Sequence, residues 1–360
     1  MAAQIRSGTR ECEFSAAAIK TINYSSCQII GSLITSILLL SGAKVKIRAI
    51  FLLLLFLTFT SNAEDITTRT ASRGDGPPIS YYLVQHSHDA DTLLLILQGS
   101  DCNSVLNIDS ILSDYKDAWP EADILLIEKY GINRKLKYST DPARKDCPAQ
   151  YLEKDNPAQR VADIKVVLDT VRKDGQYKKL ILLGGSEGAV IANLMTADVD
   201  YIDATIAFNG GGRWFIDDVS HSIAAEHKKT AAARKDIDDF KGFAEHVLNS
   251  KPFELEVSGH GYHWWQQMLS IDQLDTLQNV KSPLLIVQGG RDTSVSPQKT
   301  DELWQRLKDL GKNNIEYRRY EKLDHGLKDS DGKSQRKEVV TDMNIWLQSK
   351  LGDPKKHKIH

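Results

Sequence analysis

A chain of 360 residues that is 41% hydrophobic and 26% charged can bury one large α/β core or two small ones. Its 46 basic and 48 acidic side chains leave a formal charge of -2, with no basic excess or clustered basic face of the kind a nucleic-acid partner requires. Such a balance gives no reason to expect a nucleic-acid partner and points to a globular enzyme or binding protein.

In chain order, the first feature is KVKIRAIFLLLLFLTFTSNA at residues 44–63. A basic start, twelve apolar residues from Ala49 to Thr60 and the small-residue ending Ser61-Asn62-Ala63 have the form of a secretory signal peptide, cut after Ala63. Twelve residues fall short of the roughly 20 that span a bilayer, so no stable membrane anchor is expected. A membrane hairpin formed with the run Ile29 to Leu40 is the less favoured reading. Residues 1–44 are expected to lie outside the natural product, with Val45 as the start, and the protein is expected to be periplasmic or secreted. Losing residues 1–63 removes six of the 46 basic and two of the 48 acidic residues, leaving 40 against 46. It also removes Cys12 and Cys27, so Cys102 and Cys147 remain as an even pair in an oxidising compartment. A disulfide between them is expected.

From residue 79, apolar runs of strand length alternate with stretches of helical spacing, the pattern of a mostly parallel, doubly wound sheet in one domain over 64–360. Strands are predicted at 79–85, 92–98, 123–128, 178–183, 202–208, 283–288 and 314–320. The near-continuous apolar runs among them predict burial on both faces. Helices are predicted at 104–117, 158–173, 187–196, 297–310 and 336–350. Two stretches break the alternation: 130–156, rich in Lys, Asp and Pro, and 213–280, polar and helical in pattern, which is the candidate cap.

In an open α/β sheet the chemistry sits just past the carboxyl ends of the strands. After 180–183 comes Gly184-Gly185-Ser186-Glu187-Gly188, a G-x-S-x-G match in which glycines allow a tight turn to present the serine. By itself the string is weak, because a glycine-rich turn into a helix reads the same. After 283–288 comes GGRDTSVSP with Asp292, and after 314–320 comes EKLDHGL with His325. Together these turns raise the motif above chance. Asp324 is a rival partner for His325, but adjacent side chains rarely point at each other.

On G-G-S-E-G, the G-G-R-D turn and the D-H-G turn in the order Ser, Asp, His, the chain resembles the α/β-hydrolase superfamily over residues 79–350. Within it the chain looks most like the dienelactone-hydrolase and prolyl-oligopeptidase-like serine esterases and peptidases. The resemblance implies a Ser186-Asp292-His325 triad that cleaves an ester-like bond through an acyl-enzyme, without metal or organic cofactor. Two backbone donors, the N–H groups of Glu187 and Ser100, would meet the oxyanion. Here Gln98-Gly99 replaces the usual His-Gly before the second donor. An aminopeptidase or dipeptidyl-peptidase is the alternative activity, and a non-catalytic binding protein on the same fold is the alternative class. The expected partner is a small-molecule ester or a short peptide.

Four further features carry expectations. A Cys102–Cys147 bridge would pin the oxyanion loop to the 130–156 insertion. Trp264 and Trp265 in HGYHWWQQM are candidates for a substrate pocket, or for core and rim. His260 and His263 have only weak metal-site spacing, so no metal is expected. Asn209-Gly210-Gly211-Gly212-Arg213 is read as an entrance to the cap in preference to an anion cradle.

Overall fold

Strands β1 (Asp65–Ala71), β2 (Ile79–Gln85), β3 (Thr92–Leu97), β4 (Asp123–Ile127), β5 (Lys179–Gly185), β6 (Ala204–Phe208), β7 (Leu284–Gly289) and β8 (Ile315–Tyr320) form one sheet in the computed structural model. Their order is β1-β2-β4-β3-β5-β6-β7-β8. The structure describes residues 65–86, 90–141, 144–173, 175–226 and 231–352. The signal-peptide and chain-start expectations lie outside them. β1 and β2 run antiparallel at one edge, and every pairing from β4 through β3 to β8 is parallel. No helix among the described residues is long and apolar enough to cross a membrane.

The period-two alternation of strand side chains divides the core into two layers. Leu94, Ile96, Ile124, Leu126, Ile181 and Leu183 face one layer. Their neighbours Leu93, Leu95, Leu125, Ile127, Leu180 and Leu182 face the other. With both faces covered, β3 and β4 are buried at every position, and so the sequence reads as unbroken apolar runs. β1 escaped prediction because DITTRTA is polar and pairs only at the sheet edge.

The helices α1 (Asp109–Ser113), α2 (Ala149–Lys154), α3 (Pro157–Val171), α4 (Glu187–Asp198), α5 (Phe215–Glu226), α6 (Ala231–Asn249), α7 (Tyr262–Ser270), α8 (Gln273–Gln278), α9 (Pro297–Asp309) and α10 (Arg336–Leu351) complete the order. Two of them start on a side-chain cap followed by proline. Asn156 accepts from the Gln159 N–H ahead of α3, and Ser296 accepts from the Lys299 N–H ahead of α9. The helix predicted at 104–117 is instead three short pieces, with 3₁₀ turns at Val105–Asn107 and Tyr115–Ala118 on either side of α1. Apolar residues three apart satisfy a 3₁₀ turn as well as an α-helix, and the backbone leaves helical geometry at Ile108 and Asp114. Residues 213–280 form α5 to α8. Residues from α5, α6 and α7 gather in a cluster around Trp264, Trp265 and Met268, which packs on Val190 and Leu194 of α4.

Candidate active site

The turn between β5 and α4 requires its glycines. A Cβ on Gly184 would lie 2.1 Å from the Gly188 carbonyl oxygen, and one on Gly188 would lie 2.2 Å from that of Leu97. Strand and helix therefore touch backbone to backbone. Between them Ser186 is held at φ 55°, ψ -126°, outside the regions a serine ordinarily adopts. Its own N–H is tied to the Phe208 carbonyl at 3.0 Å.

Asp292 follows β7 and His325 follows β8. Asp292 Oδ2 accepts from His325 Nδ1 at 2.8 Å and from Gln288 Nε2 at 3.2 Å, while Oδ1 accepts the N–H groups of Ser294 and Val295 at 2.8 and 3.0 Å. The Asp292 side chain is fully buried. With Nδ1 donating to this carboxylate, Nε2 is the imidazole nitrogen left to accept a proton. The rival, Asp324, spends Oδ1 on the N–H groups of Gly326 and Lys328 and shapes the turn.

Asn209 is a site residue that the sequence reading missed. Its Nδ2 donates to the His325 carbonyl at 2.8 Å and its Oδ1 accepts from the Gly289 N–H at 2.8 Å, so one buried carboxamide joins the ends of β6, β7 and β8. The glycines after it do cradle an anion, which is the chain's own Asp218: its carboxylate accepts the Gly212 and Ser296 N–H groups at 3.0 and 2.8 Å. Burial pushes the Asp218 carboxyl up to about 7. This corrects the reading of 209–213 as a simple entrance.

Beside Ser186 lies Gly99, where an added Cβ would come within 3.4 Å of the Ser186 Cβ. Beneath that loop, Lys129 Nζ donates to the carbonyls of Gly99 at 2.7 Å and Asp101 at 2.9 Å, one on each side of Ser100. All peptides among the described residues are trans, so the Ser100 N–H points opposite to the Gly99 carbonyl and away from Lys129. Lysine 129 carried no signal in the sequence, since a lysine after a strand reads as surface.

Glu187 contributes more than the amide expected of it. Its carboxylate, 1% exposed, lies 2.5 Å from Arg160 Nη1 and 3.4 Å from Lys129 Nζ, and accepts from Trp264 Nε1 at 3.1 Å. Burial alone would raise its pKa, but Lys129 and Arg160 outweigh that and hold it below the usual carboxylate range. Arg160 also donates to the Gln98 carbonyl at 3.2 Å. Nearby Asp155 is 2% exposed, and neither carboxylate oxygen has a hydrogen-bond partner among the described residues. Burial pushes it up to about 7 against the opposing pull of Lys129.

Trp264 and Trp265 are each 2% exposed and meet edge to face, with ring centroids 5.1 Å apart. They are core, and form no open pocket wall: Trp264 stacks on His260 at 3.7 Å and Trp265 packs on Phe215 and Phe243. The inward stripe of α7 is too apolar to be left uncovered. Burial pushes the His260 imidazole down to about 3, and its Nδ1 lies 3.2 Å from the Tyr151 hydroxyl. His263 sits edge-on to Tyr262. Cys102 and Cys147 are joined, with Cα atoms 5.8 Å apart, linking the segment after Ser100 to the 130–156 insertion.

Residues 240–354, which contain Asp292 and His325 but not Ser186, match the prolyl oligopeptidase family. No curated protein matches the chain in sequence. Among solved structures, the Pyrococcus furiosus esterase Pf2001 superposes with a TM-score of 0.50 at 14% identity, over 80% of this chain and 92% of that one. Est1E from Butyrivibrio proteoclasticus gives 0.51 at 14%, over 79% and 99%. The Pyrococcus horikoshii acylaminoacyl peptidase gives 0.56 at 16%, over 84% of this chain but 43% of that one, so this chain spans less than half of that peptidase. The shared fold is that of the α/β-hydrolases.

Proposed function

We propose that this chain is a serine hydrolase that cleaves an ester-like bond through an acyl-enzyme on Ser186. One observation carries the reading: a serine at positive φ after β5 and a buried, four-times-bonded carboxylate after β7 that orients a histidine after β8. All three stand at the carboxyl ends of parallel strands. An ordinary turn serine has no need of that backbone geometry.

His325 Nε2 takes the Ser186 proton as Oγ bonds to the substrate carbonyl carbon. The carbonyl oxygen becomes an oxyanion facing the N–H groups of Glu187, at the unbonded start of α4, and Ser100. Collapse breaks the bond to the leaving group, which receives the proton from His325, and water repeats the cycle to release the acid. Asp292 keeps Nδ1 protonated and favours the imidazolium throughout. Residues 213–280 act as the cover of this site, and the protein is exported with the segment before Glu64 removed.

A peptidase activity is the second reading, supported by the prolyl oligopeptidase match over 240–354 and by the acylaminoacyl peptidase likeness. The test is labelling with an uncharged fluorophosphonate, followed by a screen of short-chain esters and aminoacyl anilides. Labelling that maps to Ser186 and vanishes in Ser186→Ala is expected, and the screen then separates esterase from peptidase. Folded wild-type protein that is neither labelled nor active would replace this reading with that of a binding protein.

A further inference from the structure

The loop that carries Ser100 borders an open cavity of about 250 Å³, lined also by residues 138–141, Arg144 and the turn at Ser258 and Gly259. We propose that this cavity is the subsite for a positively charged group of the substrate, and that Asp101 selects that group. The proposal rests on the serine-hydrolase reading above.

Size and place come first. Pockets that hold a whole drug-sized ligand begin at about 300 Å³, and liquid water takes about 30 Å³ per molecule. A space of this volume has room for a substituent of several heavy atoms. Because Ser100 lines it, the cavity lies beside the loop whose N–H is proposed to meet the oxyanion, and a substituent reaching past that loop would enter it.

Charge decides what the substituent is. Asp101 and Asp141 both line the cavity. Asp101 is preset: Oδ1 accepts the Asn103 N–H at 2.8 Å, Lys129 holds its backbone carbonyl at 2.9 Å, and the disulfide fixes the residue after it. The cations at the border are engaged elsewhere. Arg144 places Nε and Nη2 on the Asp146 carboxylate at 2.9 and 3.2 Å and Nη1 on the Ser139 carbonyl at 3.4 Å. Lys129 is fully buried on the other side of the loop, facing Glu187. Asn103 is closed off as well, its carboxamide exchanging two hydrogen bonds with the Ser139 backbone. Of the charged groups that line the cavity, Asp101 and Asp141 are acidic and Arg144 alone is basic, its guanidinium already paired with Asp146. Tyr138, 54% exposed, adds an aromatic face to the lining, and aromatic faces attract ammonium and guanidinium groups. An anionic substituent would meet carboxylates with no unengaged cation.

The test uses two matched sets of nitrophenyl-type esters, one varied in the acyl chain and one in the alcohol, each ending in an ammonium, a methyl or a carboxylate group. At low ionic strength the wild-type protein should cleave the ammonium member of one set with a kcat/KM at least tenfold above its methyl isostere, the carboxylate member being slowest. In 0.5 M salt that ratio should shrink, and in Asp101→Asn, which keeps an acceptor for the Asn103 N–H, it should fall below threefold. Fluorophosphonate labelling of the wild type is run in parallel. Labelled, active protein with no charge preference in either set, or a preference that Asp101→Asn leaves intact, overturns the subsite alone. Absence of both labelling and turnover overturns the hydrolase reading beneath it.

Discussion

Replacing Lys129 by methionine keeps an unbranched side chain one atom shorter and deletes its charge. Two charge-assisted hydrogen bonds to the carbonyls flanking Ser100 disappear, along with an ion pair to Glu187 whose partners are 0% and 1% exposed. Breaking a buried pair typically costs about 3 to 5 kcal/mol. Glu187 keeps Arg160 and Trp264, so a loss near the low end, about 3 kcal/mol, is expected. The effect on rate is separate. Freed from Lys129, the Gly99–Ser100 peptide can rotate and turn its N–H off the oxyanion, and losing one such donor costs about 10²- to 10³-fold in kcat. The assay is steady-state kinetics well below the melting temperature on an ester found in the screen, alongside binding of a boronic acid that forms a tetrahedral adduct. A fall in kcat with KM nearly unchanged, matched by a similar loss of boronate affinity, is expected. If folded Lys129→Met keeps kcat within threefold of the wild type, or changes only KM, then Lys129 does not orient the donor.

Three further outcomes are expected. Ser186→Ala and His325→Ala should each lower turnover by several powers of ten, the double variant should be little worse, and Asp292→Asn should keep more activity; additive losses would count against a triad. Non-reducing mass analysis should find no free thiol at Cys102 or Cys147, and Cys147→Ala should lower stability by about 2 to 5 kcal/mol, read as a drop in thermal midpoint; two alkylatable thiols in unreduced protein would contradict the bridge. The third concerns pH. Asp155 has a folded-state pKa of about 7, above the ordinary carboxylate value of about 3.9, so the folded state holds its proton more tightly and this stability, complete below about pH 4, is lost as pH rises through about 7. Asp155→Asn mimics the protonated form. Its thermal midpoint relative to the wild type should therefore climb from pH 4 to pH 9, by an amount on the order of a few kcal/mol in stability, whereas a constant offset would show that Asp155 does not titrate there. Asp218, raised in the same direction, is present in both proteins and cancels in the difference.

What the sequence made legible follows a physical divide. Strands buried along most of their length leave long apolar runs, so β2 is placed residue for residue and β3 to β7 within two residues at either end; the edge strand β8, IEYRRY, is only partly buried and is placed within one residue by its β-branched and aromatic content. The turns carrying Ser186 and Asp292 stand out because each follows an apolar run and has its own glycines, whereas His325 is found from its place after β8 in a D-H-G turn. The polar edge strand β1 gives no such contrast. The ionic cluster under Ser100 was hidden for another reason: Lys129, Asp155, Arg160 and Glu187 come from four separate elements, and nothing local distinguishes a buried charge from a solvated one. Trp264 and Trp265 misled through residue type, since adjacent aromatic side chains suggest a binding surface until a helix turns both inward.

The two halves of the site differ in what they are bolted to. Asp292 and His325 are held by Gln288, Asn209 and backbone groups at the strand ends, and among the described residues the helical insertion meets this side at the edge, where His221 Nε2 lies 3.0 Å from the Asp292 carbonyl and Asp218 accepts the Ser296 N–H at 2.8 Å. On the oxyanion side the insertion reaches inside: the Trp264 indole is bonded to the Glu187 carboxylate, which faces Lys129. A shift of α7 would therefore act on the electrophile's cradle and spare the proton relay. For anyone exchanging residues 213–280 to change specificity, the replacement has to reproduce the indole of Trp264 together with His260, which is bonded to the Tyr151 hydroxyl and to the Ser100 backbone, because without them Asp292 and His325 would remain held at the strand ends while the loop at Ser100 lost its alignment.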